Sequence, residues 1–227
     1  MWIYAIILLL AFLGSLSART EMISFDASPV GSLPQGWAVQ VTHRGAPPRW
    51  EVNRDDSAPS RPNVLAQLST DRTAGRFPLA IFDGVPLKDG TLSVCFKPMG
   101  GVVDQAAGIV WRYQDPNNYY IARANALENN VVLYKVEKGV RSAIAPKGLP
   151  SRSYGVNHAI ARRQWSTLRI DIQAPRFIVY LNSERLFEAD DKTFQAAGKV
   201  GLWTKADSVV YFDNFTISTN SGEKTKP

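Results

Sequence analysis

The sequence predicts an all-β protein, two antiparallel sheets packed as a jelly-roll sandwich. Short runs of alternating apolar and polar residues recur along nearly the whole chain, and clusters of Gly, Pro, Asn and Asp separate them. Only Asp190 to Ala197 has the composition of a helical turn. Many strands with one brief helix bury their apolar faces most simply by stacking two sheets.

The elements follow in chain order. Ile3 to Leu16 is apolar, too short to span a bilayer but long enough for the core of a secretory signal, and Ser15, Ser17 and Ala18 supply small residues for cleavage. Residues 1–18 are therefore expected to be a signal peptide, with an uncleaved membrane anchor as the alternative, residues 19–218 to form the sandwich and 219–227 a disordered polar tail. Expected strands are Met22 to Phe25, Trp37 to Thr42, Val64 to Ser69, Leu79 to Phe82, Thr91 to Lys97, Gly108 to Tyr113 and Tyr119 to Asn125. Further along come Val131 to Val136, Arg141 to Ala145, Trp165 to Gln173, Phe177 to Leu181 and Arg185 to Ala189. Arg54 to Pro62 and Ala145 to Gly155, both rich in turn residues, read as long excursions at the sandwich edge.

The last two runs, Val200 to Trp203 and Val209 to Ile217, flank polar Thr204 to Ser208 and read as a closing β-hairpin. Phe212 and Phe215 are three apart, so both rings reach one face only if a bulge forms near Asp213 and Asn214.

Composition narrows the function. The 6 Trp, 8 Tyr and 10 Phe are ample for one core, and a single Cys excludes an internal disulfide framework. Cys95 sits opposite Leu92, Val94 and Phe96 on its strand, a small residue on a half-buried face rather than a nucleophile. The net charge of +6 favours polyanionic surroundings, but no long basic run or nucleic-acid motif accompanies it, so no nucleic-acid partner is expected.

Catalytic signals are poor. No G-x-S-x-G elbow, H-E-x-x-H helix or Walker loop occurs, and nothing around His43 or His158 would make either a general base. Glu128, Asp171 and Glu188 are the remaining candidate acids, none set apart from surface charge.

The stretch Gly198 to Ile217, with Gly-Leu-Trp-Thr-Lys-Ala-Asp-Ser followed by Phe-Asp-Asn-Phe, resembles the closing segment of concanavalin A-like jelly rolls. Within that fold it is most similar to a secreted bacterial group labelled 3-keto-disaccharide hydrolase-like. The stretches Gly31 to Trp37, Gly45 to Trp50 and Ala58 to Ala66 look like the opening of the same family, so the resemblance covers nearly all of the exported chain. It implies the scaffold, and it names an activity on keto- or oxidised disaccharides as one alternative. The strand motif E-x-D-x-x-E of family-16 glycoside hydrolases, which share this fold, is approached only at Glu188 to Thr193 and fails at Thr193.

The expected ligand face lies on the hairpin Gly108 to Asn125. With Gln114 to Asn118 as the loop, Ile109, Trp111, Tyr113, Tyr120, Ala122 and Ala124 share the core face. Arg112, Tyr119, Arg123 and Asn125 then share the opposite, outward face with Val110 and Ile121. Guanidinium, amide and aromatic groups together suit a glycan or oligosaccharide, whose hydroxyls need planar polar partners and whose ring faces stack on aromatics.

No cofactor is expected beyond a structural calcium held by Asp26, Asp213 and Asn214, all hard oxygen ligands. The expectation is an exported, periplasmic or secreted glycan-binding sandwich, monomeric and without a membrane span once its signal is removed. A glycoside hydrolase and a laminin-G-like adhesion module are the alternatives.

Overall fold

The computed structural model describes residues 19–219, so the expected signal and all of the expected tail beyond Thr219 lie outside the described residues. Among the described residues there are strands and no helix. They run β1 (Thr20–Ile23), β2 (Trp37–Thr42), β3 (Trp50–Arg54), β4 (Asn63–Gln67), β5 (Phe77–Leu87), β6 (Gly90–Gly100), β7 (Ala106–Asp115) and β8 (Asn118–Asn125). After these come β9 (Asn130–Glu137), β10 (Val140–Ile144), β11 (Val156–Asn157), β12 (Ser166–Gln173), β13 (Arg176–Leu181), β14 (Glu184–Asp190), β15 (Gly198–Thr204) and β16 (Val209–Thr219).

Two antiparallel sheets of 8 strands form the sandwich. The first runs β14-β13-β12-β6-β16-β4-β3, with β1 on β16. The second runs β10-β9-β8-β7-β15-β5-β2, with β11 on β9. Between them lies a core that includes Phe25, Leu92, Phe96, Trp111, Tyr120, Leu168, Phe177, Leu202 and Phe212.

The expected strands are present, with ends shifted by a few residues. The expected set lacks β3 and β11. The first buries Trp50 and Val52 between Glu51 and Asn53, too short and polar a run to stand out, and the second has only 2 residues. The expected helical turn at Asp190 to Ala197 is absent, and the segment is held instead by Tyr120. Its hydroxyl donates to Asp191 Oδ1 at 2.6 Å and accepts the Phe194 N–H at 3.0 Å.

The closing pair is not a hairpin. Strand β15 pairs with β5 and β7 in the second sheet, whereas β16 pairs with β6, β4 and β1 in the first. The turn between them arches across the sandwich, because Leu202 on one side and Phe212 on the other both enter the same core. The bulge in β16 does form. Its register against β6 shifts between Asp213 and Thr216, Asn214 turns to φ 49°, and Phe212 and Phe215 are both buried in the core.

Candidate functional site

The β7–β8 hairpin breaks register where the ligand face was expected. Trp111 pairs with Tyr120 and Asp115 with Asn118, with an irregularity between. At that irregularity Arg112 takes φ 49°, the left-handed region that costs a bulky residue energy. Gly198 makes the bulge possible, since a Cβ there would lie 2.5 Å from the Arg112 carbonyl carbon.

Arg112 is therefore buried and does not oppose Tyr119. Its buried guanidinium donates to the Lys88 carbonyl at 2.9 Å, to Asp89 Oδ1 at 3.1 Å and to the Phe194 carbonyl. The same bulge moves Tyr113 off the core face, and it joins Tyr119 on the other side of the sheet.

That other side is not a solvated face. Val110, Tyr113, Tyr119, Ile121, Val132, Tyr134, Val136, Phe77, Leu79, Ile81 and Trp203 form a second apolar cluster there. Tyr119 is 0% exposed, and its hydroxyl donates to Thr42 Oγ1 at 2.6 Å while that hydroxyl donates to the Pro116 carbonyl. Asn125 is also fully buried. Its amide donates to Asp104 Oδ1 at 2.6 Å and its oxygen accepts the Leu127 N–H, so it fixes the β8–β9 turn. Tyr119, Arg123 and Asn125 are thus all buried, and of the expected ligand residues Arg123 is the one whose partners, Glu128 and Tyr154, reach the surface.

The second sheet is curled into a trough that this cluster fills. Arg141 of β10 lies over Tyr134 of β9 at 4.5 Å, Phe77 of β5 at 4.8 Å and Trp203 of β15 at 5.9 Å. In a flat sheet, strands β5 and β9 would stand about 19 Å apart, from strand spacings of about 4.8 Å. One guanidinium touching both rings requires the sheet edges to approach. His43, just beyond β2, fastens them, with Nδ1 2.8 Å from the Gly75 carbonyl and Nε2 2.7 Å from the Gly139 carbonyl.

At the mouth of this trough charged and aromatic groups meet. Arg123 is 0% exposed and donates through both terminal nitrogens to Glu128 Oε2 at 3.1 Å and to Asn130 Oδ1 at 2.5 Å. Its guanidinium stands 5.5 Å from the Tyr134 ring and 5.8 Å from that of Tyr154. The hydroxyls of Tyr134 and Tyr154 are hydrogen-bonded to each other, and Tyr154, from the long excursion after β10, is 48% exposed.

Burial works against the charge on Glu128, but Arg123 and the Asn130 amide outweigh it and hold its carboxyl below the usual range. Asp104 is paired with Lys205 at 2.5 Å. Each of these carboxylates thus has a cation beside it, and Glu128 is held ionised. Burial pushes the Tyr134 hydroxyl well above its ordinary value, so it stays neutral.

Residues 25–218 match the family described as the 3-keto-alpha-glucoside-1,2-lyase-like domain. The chain belongs to that family. No curated protein sequence matches the chain. Among solved structures, a carbohydrate-binding module CBM66 from Bacillus subtilis is similar with a TM-score of 0.59 and 21% identity, over 83% of this chain and 99% of that one. Domain 4 of AbnA, an extracellular arabinanase from Geobacillus stearothermophilus in complex with arabinotriose, has a TM-score of 0.56 and 13% identity, over 89% and 93% of the two chains. The cellulose-induced protein Cip1 gives 0.59 and 9%, over 81% and 91%. At these identities the likenesses show the fold of the lyase-like domain and nothing finer.

The expected calcium residues of the lyase-like domain lie close together. Asp213 is buried and accepts from Ser60 N at 2.7 Å, Ser60 Oγ at 2.9 Å and Asn214 N at 2.7 Å, while Asp26 Oδ1 accepts from Asn63 N at 3.0 Å. Burial raises the Asp213 carboxyl, the hydrogen bonds from Ser60 and Asn214 pull it down, and Asp26 adds to the rise. Asn214 Oδ1 is buried without a hydrogen-bond partner. Among the described residues no three His, Cys, Asp or Glu side chains group as a metal site.

A second concavity of about 350 Å³ lies at the end of the first sheet, lined by Gly90, Thr91, Asp171, Arg176 and Ile178. Asp171 is fully engaged there, by Thr91 at 2.9 Å and by two bonds from Arg169. It is a polar notch without a free reactive group.

The residues missed by sequence reasoning are Tyr134, Arg141, Tyr154 and Trp203. They lie on two strands, a turn-proximal strand start and a long loop. Only the curl of the sheet brings them together.

Proposed function

We propose that this domain is an exported carbohydrate-binding β-sandwich that takes a sugar at the trough mouth, against Tyr154, Arg141 and the Arg123–Glu128–Asn130 cluster. The observation that carries this reading is a cluster in which the half-exposed Tyr154 ring meets the Arg123 guanidinium, Arg141 lies over Tyr134, and each carboxylate is paired with a cation. Such a site can hydrogen-bond hydroxyls and stack a ring face. The carbohydrate-binding module and the arabinotriose-bound domain share its fold, which supports the class of ligand. Export follows from the apolar segment Ile3 to Leu16. Among the described residues no helix is long and apolar enough to cross a membrane. A glycan array tests the reading. Tyr154→Ala should lose binding at least tenfold while the melting temperature holds, since the ring is half-exposed. Binding that survives Tyr154→Ala unchanged would remove the mouth as the site.

The family match favours one second reading, a lyase. Elimination from a 3-keto glucoside removes the C2 proton and expels the glycosidic oxygen from C1, which needs a base. Glu128, held ionised and partly exposed, is the candidate. Product analysis with a 3-keto-disaccharide decides it: turnover abolished by Glu128→Gln supports the lyase, and no turnover supports the binding module. A structural calcium between Asp26, Asp213 and Asn214 is a separate proposal, supported by the partnerless Asn214 oxygen.

A further inference from the structure

The mouth of the trough carries three cations, Arg123, Arg141 and Lys205, against two carboxylates, Glu128 and Asp104. Arg123 and Lys205 pair with those carboxylates, and the remaining positive charge belongs to Arg141. Arg141 lies in a cage of three aromatic rings, Tyr134, Phe77 and Trp203, within 6 Å of each centroid. Nη1 is buried against the cage without a hydrogen-bond partner. The residue as a whole is nonetheless partly exposed.

An aromatic cage holds a guanidinium in place through its faces. It supplies no acceptor for the N–H groups on the edge. A cation that is partly desolvated and unpaired is costly, and a planar fork of donors matches a carboxylate through two parallel bonds. The ordering of the side chain is already accomplished in the free protein, so a carboxylate arriving at that edge loses little entropy to arrange its partner. Tyr154, edge-on to Tyr134 and half-exposed, offers its ring to the sugar that bears the carboxylate.

We propose that the glycan recognised at this mouth is acidic, with a uronate carboxylate paired to the Arg141 guanidinium through its nitrogens other than the buried Nη1. The inference rests on the glycan-binding reading above and deepens it by naming the ligand's charge. The +6 net charge of the chain acts in the same direction by drawing anionic polymers towards it.

The test uses an array carrying uronate-containing glycans, the same glycans after carboxyl reduction, and sulfated and neutral glycans, followed by calorimetry of the hits at low and high salt. The uronate form should bind at least tenfold tighter than its carboxyl-reduced counterpart, and the preference should shrink as salt rises. Arg141→Gln should erase the preference, and Arg141→Lys should keep only part of it, because a point charge replaces the fork. Tyr154→Ala should weaken acidic and neutral forms alike. If Arg141→Gln melts early because the cage collapses, the lysine variant and the reduced glycans still decide the matter. Equal affinity for the reduced glycans, binding confined to sulfated or neutral glycans, or a preference that survives Arg141→Gln would overturn the acidic assignment while leaving the glycan site standing. Absence of binding to every glycan would overturn both.

Discussion

The two sheets treat their outer faces in opposite ways. In β12 of the first sheet, burial alternates residue by residue, with Leu168, Ile170 and Ile172 inward and Arg169, Asp171 and Gln173 outward. In β8 of the second, every residue after Asn118 is buried, although Arg123 and Asn125 are polar. An open sheet with one wet face shows alternation, whereas a sheet curled around its own outer face has two cores and shows none. A polar residue in such a strand is a satisfied structural group more often than a presented one. Arg123 follows that rule, being fully buried and tied to Glu128 and Asn130, while its neighbour Tyr154 reaches the surface.

The largest expected effect separates the two faces directly. Trp203→Ala empties the trough and should cost about 3–5 kcal/mol, whereas Tyr180→Ala, on the outer face of the first sheet, should cost about 1 kcal/mol or less. Denaturant midpoints measure both, and equal losses would dissolve the distinction between the faces.

Arg112→Ala comes next. Removing the guanidinium leaves the buried Phe194 carbonyl without that donor, at about 1–3 kcal/mol, and the part-buried Lys88 carbonyl loses its partner as well. Glycan binding by the folded fraction should be unchanged. A variant that melts normally but fails to bind would return Arg112 to the ligand site.

Acid should destabilise the protein moderately. The Asp71 carboxyl is held at about 2 by hydrogen bonds from Thr73 and Ala46. Those of Glu128, Asp191 and Asp207 are depressed as well, by hydrogen bonds and neighbouring cations that overcome burial. Groups depressed on folding contribute stability above their unfolded values and lose it as pH falls through the folded ones. Asp213 is raised and acts oppositely, its penalty being relieved by protonation. Depressed groups outnumber it, so the melting temperature should fall as pH drops from about 4 towards about 2. A flat acid limb would show that the charged ties at the mouth contribute nothing.

The smallest effect is that of calcium. Binding only to the native state at Asp26, Asp213 and Asn214, it should raise the melting temperature by about 2–4 °C, and chelation should reverse this. No shift over a wide calcium range leaves Asp213 as an anchor for Ser60 and the bulge.

The sequence alone determined the β class, nearly every strand and the bulge at Asn214. Each rests on local pattern: alternation marks a strand, and two aromatics three apart in one strand force an extra residue. Turn chemistry also made the family resemblance legible from end to end. What only the tertiary structure decided is where the outer faces go. The bulge at Arg112 depends on Gly198 from a strand 86 positions away in the chain, and it reverses the pleat for Arg112 and Tyr113. The curl that buries Tyr119, and that carries Arg141 across to Phe77 and Trp203, is a property of seven strands acting together. Periodicity reports that a side chain leaves one face of a strand. Whether water, a second core or a ligand meets it on the other side depends on non-local pairing, which no window of sequence contains.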